Sequence, residues 1–151
     1  MILDTNLLMC NKLNAFAAAG TALVGDVIPL GAITTNKNPI RGTWPLYLVL
    51  TVTTAFVGAT ATIDIQLATG TVAAIPTNGT ATGIWRTQPQ AVATMTLNRR
   101  WIATLPWDPD PDAFMGILVT TAVATTTAGA ITAEITAFAP QDYVAPFDAV
   151  N

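Results

Sequence analysis

Apolar residues alternate with other residues along the segment 46–54, and this alternation strongly constrains what the chain can fold into. Every second position of the segment is a large aliphatic residue: Leu46, Leu48, Leu50 and Val52. A period of two places these four side chains on one face of an extended strand. The chain also contains 26 threonines, whose branched β-carbon suits a pleated backbone. The segment is therefore predicted to be a β-strand with one face in a core.

The same signal recurs along the chain. In the segment 60–67, Ile63, Ile65 and Leu67 share a face opposite polar residues. The full set of predicted strands is 23–30, 46–54, 60–67, 83–87, 91–97, 100–105, 114–123 and 130–138. No helical stripe follows residue 22, and Gly, Pro and Asn residues separate the segments. This pattern predicts an all-β, jelly-roll-like sandwich of about eight strands, with Ala128 and Gly129 turning a hairpin between the last two.

The length of 151 residues fits a single β domain, 1–151. Residues 1–22 are predicted to form an N-terminal arm, either a short helix or an extended segment. The sandwich itself is assigned to residues 23–138. Residues 139–151 form a C-terminal tail that is apolar and interrupted by prolines, a composition typical of a segment that lies on a neighbouring molecule.

Charged residues make up only 10% of the chain and the mean hydropathy is +0.51, whereas ordinary soluble domains have about 25% charged residues. The uncharged runs 42–63 and 113–133 are long enough to cross a bilayer. They contain many threonines and glycines, however, and their apolar residues alternate. The composition favours strands of a soluble oligomer over membrane helices, and no membrane partner is expected.

The charge pattern also argues against nucleic acid as a partner. The net charge is −3, and Arg99–Arg100 is the only adjacent basic pair. The first residues lack the basic region and cleavage site of a secretory signal. A lone cysteine, Cys10, excludes an internal disulfide, which fits folding in a reducing cytoplasm.

Several residue types needed for catalysis are missing. The chain has no histidine and no serine, and Glu134 is its only glutamate. Ser–His, Cys–His, zinc–histidine and paired-glutamate sites each lack a member. Asp26 and Asp64 are the default candidates for a glycosidase pair, but nothing in the sequence brings them together. The sequence therefore predicts no enzyme, no catalytic residue and no cofactor.

Asp108, Asp110 and Asp112 form the only cluster of carboxylates. Alternating aspartates are typical of calcium loops, because calcium binds several oxygen ligands. An EF-hand would continue with glycine and a distant glutamate, where this chain has Ala113 and Val119. A solvated loop is the favoured interpretation, and no metal site is assigned.

The tryptophans divide into two groups. Trp101 alternates with Ala103 and Leu105, which indicates a core position. Trp44 and Trp107 flank prolines in predicted loops, where they are candidates for contact with a partner or for stacking on a sugar.

Four segments together resemble the capsid cement (decoration) proteins of certain tailed bacteriophages. They are MILDTNLL at 1–8, ALVGDVIPLG at 22–31, PLYLVLTV at 45–52 with Ala55 and Phe56 after it, and AITAEITAF at 130–138. The resemblance covers most of the chain in layout. The opening residues and the strand around 45–56 are its most specific parts.

The resemblance implies a small jelly-roll-like protein that forms a homotrimer and has no catalytic residues. Such a protein is made in the host cytoplasm, binds the major capsid protein on the outer surface of the virion and bridges neighbouring capsomers. On this hypothesis the contacts with other subunits or the shell come from the arm, the loop tryptophans and the tail. The candidates are Ile2, Leu3, Leu7, Leu8, Met9, Trp44, Trp107, Tyr143, Val144 and Phe147. The alternative is a carbohydrate- or receptor-binding jelly roll that uses the loop tryptophans and the aspartate-rich turn.

Overall fold

A computed structural model describes residues 8–15, 18–30, 46–105 and 114–136. The described chain is built almost entirely from nine β-strands and one 3₁₀ turn, Val92–Thr94. The strands are β1 (Leu8–Asn14), β2 (Gly20–Pro29), β3 (Tyr47–Val57), β4 (Thr62–Gly70), β5 (Thr82–Arg86), β6 (Gln90–Ala91), β7 (Arg100–Thr104), β8 (Phe114–Ala122) and β9 (Ala128–Thr136). The predicted all-β fold is confirmed.

The strands form two antiparallel sheets. The first sheet has the order β1-β9-β3-β7, and the second has the order β2-β8-β4-β5. The short β6 also pairs with β4, so β5 and β6 are two parts of one interrupted edge strand. The chain changes sheet between most successive strands, which is the winding of a jelly roll.

The main core lies between the two sheets and follows the predicted alternation. From β3, the inward side chains are Leu48, Leu50 and Val52, and from β4 they are Ile63, Ile65 and Leu67; each is at most 1% exposed. The second sheet adds Met115, Ile117 and Val119 from β8. Burying a side chain of this size stabilises the fold by about 1.5–3 kcal/mol relative to leaving it exposed.

A second, smaller cluster lies on the outer face of the second sheet. Ala68 and Leu118 point outward from β4 and β8, and Ile75 from the β4–β5 connection packs on them. Leu23 and Val27 of β2 lie against the same cluster. The connection 71–81 therefore covers part of this sheet, and the fold has a third layer there.

The predicted N-terminal arm is partly a strand of the sandwich. Residues Leu8–Asn14 form β1, which pairs with β9 at the edge of the first sheet. The β-sandwich thus begins before residue 23, where the sequence interpretation placed its start. Residues 1–7 and the tail 139–151 lie outside the described residues.

The predicted strand 91–97 is wrong beyond its first residue. After Ala91 the chain turns through Val92–Thr94, and Val92 and Met95 both pack into the main core. These two core residues are three positions apart, the spacing of a 3₁₀ turn, whereas a strand would bury every second residue. Alternating threonine and apolar residues imitated a strand in this segment.

The predicted hairpin between the last two strands is also wrong. β8 lies in the second sheet and β9 in the first, so residues 123–127 cross from one sheet to the other. Gly129 has a different role from turning a hairpin. A β-carbon on Gly129 would overlap the ring of Phe56, so glycine leaves space for that core side chain.

Candidate functional site

One end of the sandwich carries four short connections. They join β1 to β2, β3 to β4, β6 to β7 and β8 to β9. The strand registers place these connections together, because Val57 pairs with Ala128 in the first sheet and Thr62 pairs with Ala122 in the second. We call this surface the loop end and define it by residues 15, 18–19, 57–61, 92–99 and 122–128.

The loop end holds most of the exposed large apolar side chains of the described chain. Five such side chains are exposed, and Val57, Leu97 and Val123 belong to this end at 53%, 57% and 77% exposure. Leu13, close to the end of β1, is a fourth, while Val72 lies on the β4–β5 connection. In sequence, Arg99 is the one charged residue among those that define the loop end. A surface with little charge and several exposed large apolar side chains is typical of a contact with another protein.

Val123 combines high exposure with an unfavourable backbone. Its φ is 73°, in the left-handed region that β-branched residues rarely adopt. Such a conformation costs on the order of 1–3 kcal/mol and persists only where surrounding structure holds it. Here the hydrogen bond from Thr127 N to Val57 O, 2.8 Å long, helps to fix the crossing between the sheets.

Arg99 is the charged residue of the loop end, and its guanidinium is used within the fold. It donates to Thr94 O at 2.6 Å and to Gln90 Oε1 at 2.9 Å. The same guanidinium lies 4.7 Å from the ring centroid of Trp101. Arg99 thus ties the β6–β7 connection to β7, and the half-buried Trp101 packs against the main core as predicted.

A polar cluster lies on the edge of the second sheet. Asp64 of β4 is 7% exposed and accepts a charged hydrogen bond from Arg86 at the end of β5. This hydrogen bond and the attraction of the carboxylate raise the pKa of Arg86 above its ordinary value. Thr87 accepts a hydrogen bond from Ile65 N and donates to Gln88 O, each at 3.0 Å. The cluster fixes the backbone where the edge strand is interrupted between β5 and β6.

Few of the predicted contact residues fall within the described chain. Leu8 is half-buried at the start of β1, where it pairs with Glu134. Met9 is 1% exposed and packs in the main core, so the assignment of Met9 to an intermolecular contact is corrected. The remaining contact candidates lie outside the described residues, as do the calcium candidates: Ile2, Leu3, Leu7, Trp44, Trp107, Asp108, Asp110, Asp112, Tyr143, Val144 and Phe147.

The exposed residues of the loop end were missed by the sequence analysis. The alternation predicts Leu97 and Val123 as the last residues of the strands 91–97 and 114–123. A usable signal exists only for Leu97, because Asn98 follows it, whereas a threonine-rich stretch without Gly or Pro follows Val123. Alternation alone does not reveal where a strand stops when no turn residue marks the end.

Cys10, Asp26 and Asp64 lie in different surroundings within the described chain. No group of three or more Cys, Asp or Glu residues within the described ranges is placed to hold a metal ion. Cys10 is buried beside the core, and burial raises the pKa of its thiol to about 12. A thiol with such a pKa stays protonated at neutral pH and is a poor nucleophile. The carboxylate of Asp64 is engaged by Arg86, and Asp26 is exposed on β2.

Comparisons with known proteins do not place the chain in a family. No protein-family model matches it, and no curated protein matches it significantly. Within the described residues, the structure contains no helix that is both long and apolar enough to cross a membrane.

Proposed function

We propose that this protein is a structural component of a bacteriophage virion that binds the outside of an assembled capsid and stabilises it. On this proposal it acts as a homotrimer, contacts the major capsid protein and bridges neighbouring capsomers. The observation that carries the proposal is the loop end, a surface that exposes Val57, Leu97 and Val123 and has Arg99 as its one charged residue. The resemblance of the sequence to phage cement proteins supplies the identity of the partner.

The physical mechanism is binding linked to assembly. A protein that binds only the assembled lattice stabilises it by mass action, because the shell must release the bound protein before its capsomers separate. Three copies in a trimer add multivalency, so each contact can be weak while the trimer stays attached. The stiff jelly-roll framework supports this role, since it holds the four connections of the loop end in a fixed arrangement.

The low charge of the chain is consistent with the same function. A contact that buries apolar side chains without charged neighbours avoids the cost of removing ions from water. The guanidinium of Arg99 keeps its charge, but its hydrogen bonds to Thr94 and Gln90 offset part of the cost of removing it from water. All other charged residues of the sequence lie outside the segments that define the loop end.

The proposal is tested by mixing the full chain with undecorated phage shells. We expect co-sedimentation of the protein with the shells, a higher disassembly temperature of the decorated shells, and a trimer mass by analytical ultracentrifugation. A stable monomer without affinity for any shell would contradict the proposal.

Paired substitutions locate the contact. The double variant Leu97→Asp/Val123→Asp places two charges on the loop end and should lose most shell binding while keeping its circular dichroism spectrum. Val72→Asp is the matched control, because Val72 is 52% exposed on the β4–β5 connection, outside the loop end. Equal loss of binding in both variants would show that the loop end is not the contact surface.

A further inference from the structure

The β4–β5 connection contains an asparagine followed by a glycine, Asn78–Gly79. Before this pair, Ile75 is buried on the outer face of the second sheet, and after it Ala81 packs against the same cluster. Residues 77–80 between these two contacts are exposed. The pair therefore lies in a solvent-accessible turn whose two ends are held by packing.

We propose that Asn78 is a site of spontaneous deamidation, a modification that converts its side-chain amide to a carboxylate. The backbone nitrogen of Gly79 attacks Cγ of Asn78 and forms a five-membered succinimide ring. The bond from Cγ to Nδ2 breaks, and water carries the proton of the attacking nitrogen to Nδ2, which leaves as ammonia. A water molecule then opens the ring at one of its two carbonyl carbons, which gives aspartate or isoaspartate. The net reaction consumes one water and releases one ammonia, without a change in oxidation state.

The attacking nitrogen is not held by the fold. Within the part of the chain that the structure describes, the Gly79 N–H donates no hydrogen bond. The space around this residue is also open, since a β-carbon built on Gly79 would have no atom within 4 Å. Its φ of 88° is a conformation that suits glycine, the residue that shields its own nitrogen least. The nitrogen is therefore free to approach the neighbouring amide.

The other asparagines of the described ranges differ from Asn78 in this respect. Asn11, Asn14 and Asn98 are exposed too, so exposure does not distinguish Asn78 from them. After each of the three, the next backbone N–H is already a hydrogen-bond donor: Lys12 to Thr132 Oγ1 at 3.0 Å, Ala15 to Gly129 O at 3.0 Å and Arg99 to Thr96 O at 3.1 Å. Attack by these nitrogens would break an existing hydrogen bond, which adds to the barrier.

Thr80 supplies hydrogen bonds where negative charge develops. When the Gly79 nitrogen adds to Cγ, Oδ1 of Asn78 becomes an oxyanion. This oxygen accepts two hydrogen bonds, from Thr80 N at 3.2 Å and from Thr80 Oγ1 at 2.7 Å. Donors aimed at an oxygen that gains charge lower the barrier to attack on its carbon. Because both bonds bridge across residue 79, they also hold the Asn78 side chain beside the Gly79 peptide.

The modification changes the charge of the chain and leaves its core in place. Either product adds one negative charge to the net charge of −3. Isoaspartate also lengthens the main chain, and this change falls between the two packed residues, Ile75 and Ala81, in the exposed turn. No residue of this turn belongs to the loop end, so the inference is independent of capsid binding.

The experiment follows the four asparagines in the full chain by peptide mapping and mass spectrometry during incubation in mildly alkaline buffer. We expect aspartate and isoaspartate to accumulate at residue 78 before they are detected at residues 11, 14 and 98. A parallel incubation in urea removes the hydrogen bonds of the fold. Conversion should then become slower at Asn78, which loses the donors of Thr80, and faster at the other three. Conversion of Asn78 that is equally fast or faster in urea would overturn the proposal, as would retention of its amide while another asparagine converts.

Variants separate the contribution of the structure from that of the Asn–Gly sequence. Thr80→Val removes the hydroxyl donor and keeps the backbone N–H and the shape of residue 80. It should slow the conversion of Asn78 by about two- to tenfold, which corresponds to one net hydrogen bond. Thr77→Val is the matched control, because Thr77 is exposed on the other side of Asn78 and donates no hydrogen bond to Oδ1 of that residue. An unchanged rate in Thr80→Val, or equal slowing in both variants, would refute the role given to Thr80.

Discussion

Ile75 lies directly against Gly116 on the outer face of the second sheet. A β-carbon built on Gly116 would be 3.0 Å from Ile75 Cδ1, a separation tighter than ordinary packing. The same β-carbon would be 3.0 Å from Val27 Cγ1 and 3.1 Å from Leu23 Cδ1. Glycine in the middle of a strand is therefore explained by the side chain that covers it.

This relationship predicts that the segment 71–81 depends on Ile75 for its position. Ile75 is 2% exposed, so Ile75→Ala should lower the free energy of unfolding by about 2–4 kcal/mol. Gly116→Leu should lower it by about 1–3 kcal/mol, because the larger side chain displaces Ile75. Urea denaturation measures both values, and hydrogen exchange should increase in residues 71–81. Val72→Ala is the control and should change the free energy of unfolding by less than about 0.5 kcal/mol. If the hydrogen-exchange protection of residues 71–81 were unchanged in Ile75→Ala, this prediction would be contradicted.

Adjacent threonines in β8 provide a second prediction, because their side chains point to opposite faces. The hydroxyl of Thr121 is buried without a hydrogen-bond partner, whereas that of Thr120 bonds to the Thr21 hydroxyl at 2.8 Å. Thr121→Val removes an unsatisfied polar group at constant shape and should stabilise the protein by about 1 kcal/mol. Thr120→Val should be neutral or destabilising. Thermal unfolding of the two variants checks the difference, and the opposite order would show that Thr121 has a partner in solution.

The strands of the core were predictable because large aliphatic residues occupy every second position on the face between the sheets. In β3 and β4 the alternation of aliphatic and polar residues survives folding unchanged, with Leu50 and Ile65 both fully buried. Local sequence contains this information, since a shift by one residue would expose the whole apolar set. The same pattern predicted the β-sandwich, but it missed β1 and extended β6 through the turn Val92–Thr94.

The path of the chain between the sheets was less predictable. Whether β9 pairs with β8 or with β3 depends on contacts far apart in sequence, such as the space that Gly129 leaves for Phe56. The ion pair of Asp64 and Arg86 likewise depends on the register in which Gln66 faces Arg86. The loop end arises from such long-range arrangements, and so no short motif marks it.

Cys10 predicts a loss of stability at alkaline pH. Burial raises the pKa of its thiol from 9.0 to about 12, an effect that exceeds the opposing hydrogen bond with Ala133. Between these values the unfolded chain loses the proton while the folded chain keeps it, so the stabilising contribution present below pH 9 declines as pH rises. At about pH 10 the loss from this residue is about 1.4 kcal/mol.

The measurement compares wild type with Cys10→Ala by urea denaturation at about pH 8 and about pH 10. The variant should lose about 1.4 kcal/mol less than wild type between the two pH values. The thiol should also resist modification by a disulfide reagent until the protein unfolds, since it is 2% exposed. Rapid modification of the folded protein at neutral pH would contradict this account of Cys10.

Val123 should lower the stability of the fold through its backbone conformation while its exposed side chain contributes to binding at the loop end. Its left-handed backbone disfavours a β-branched residue, whereas asparagine tolerates that conformation. Val123→Asn should therefore raise the free energy of unfolding by about 1 kcal/mol and, on the proposed function, weaken binding to undecorated shells because an apolar contact is lost. Val57→Asn is the matched control: it removes a second exposed valine of the loop end from an extended strand, so it should weaken shell binding without stabilising the fold. Urea denaturation and co-sedimentation separate the two effects. Strain at residue 123 predicts that only Val123→Asn is stabilised, whereas a docking surface predicts weaker shell binding by both variants. Destabilisation of both variants by equal amounts would exclude strain at Val123, and unchanged shell binding in both would remove these valines from the contact.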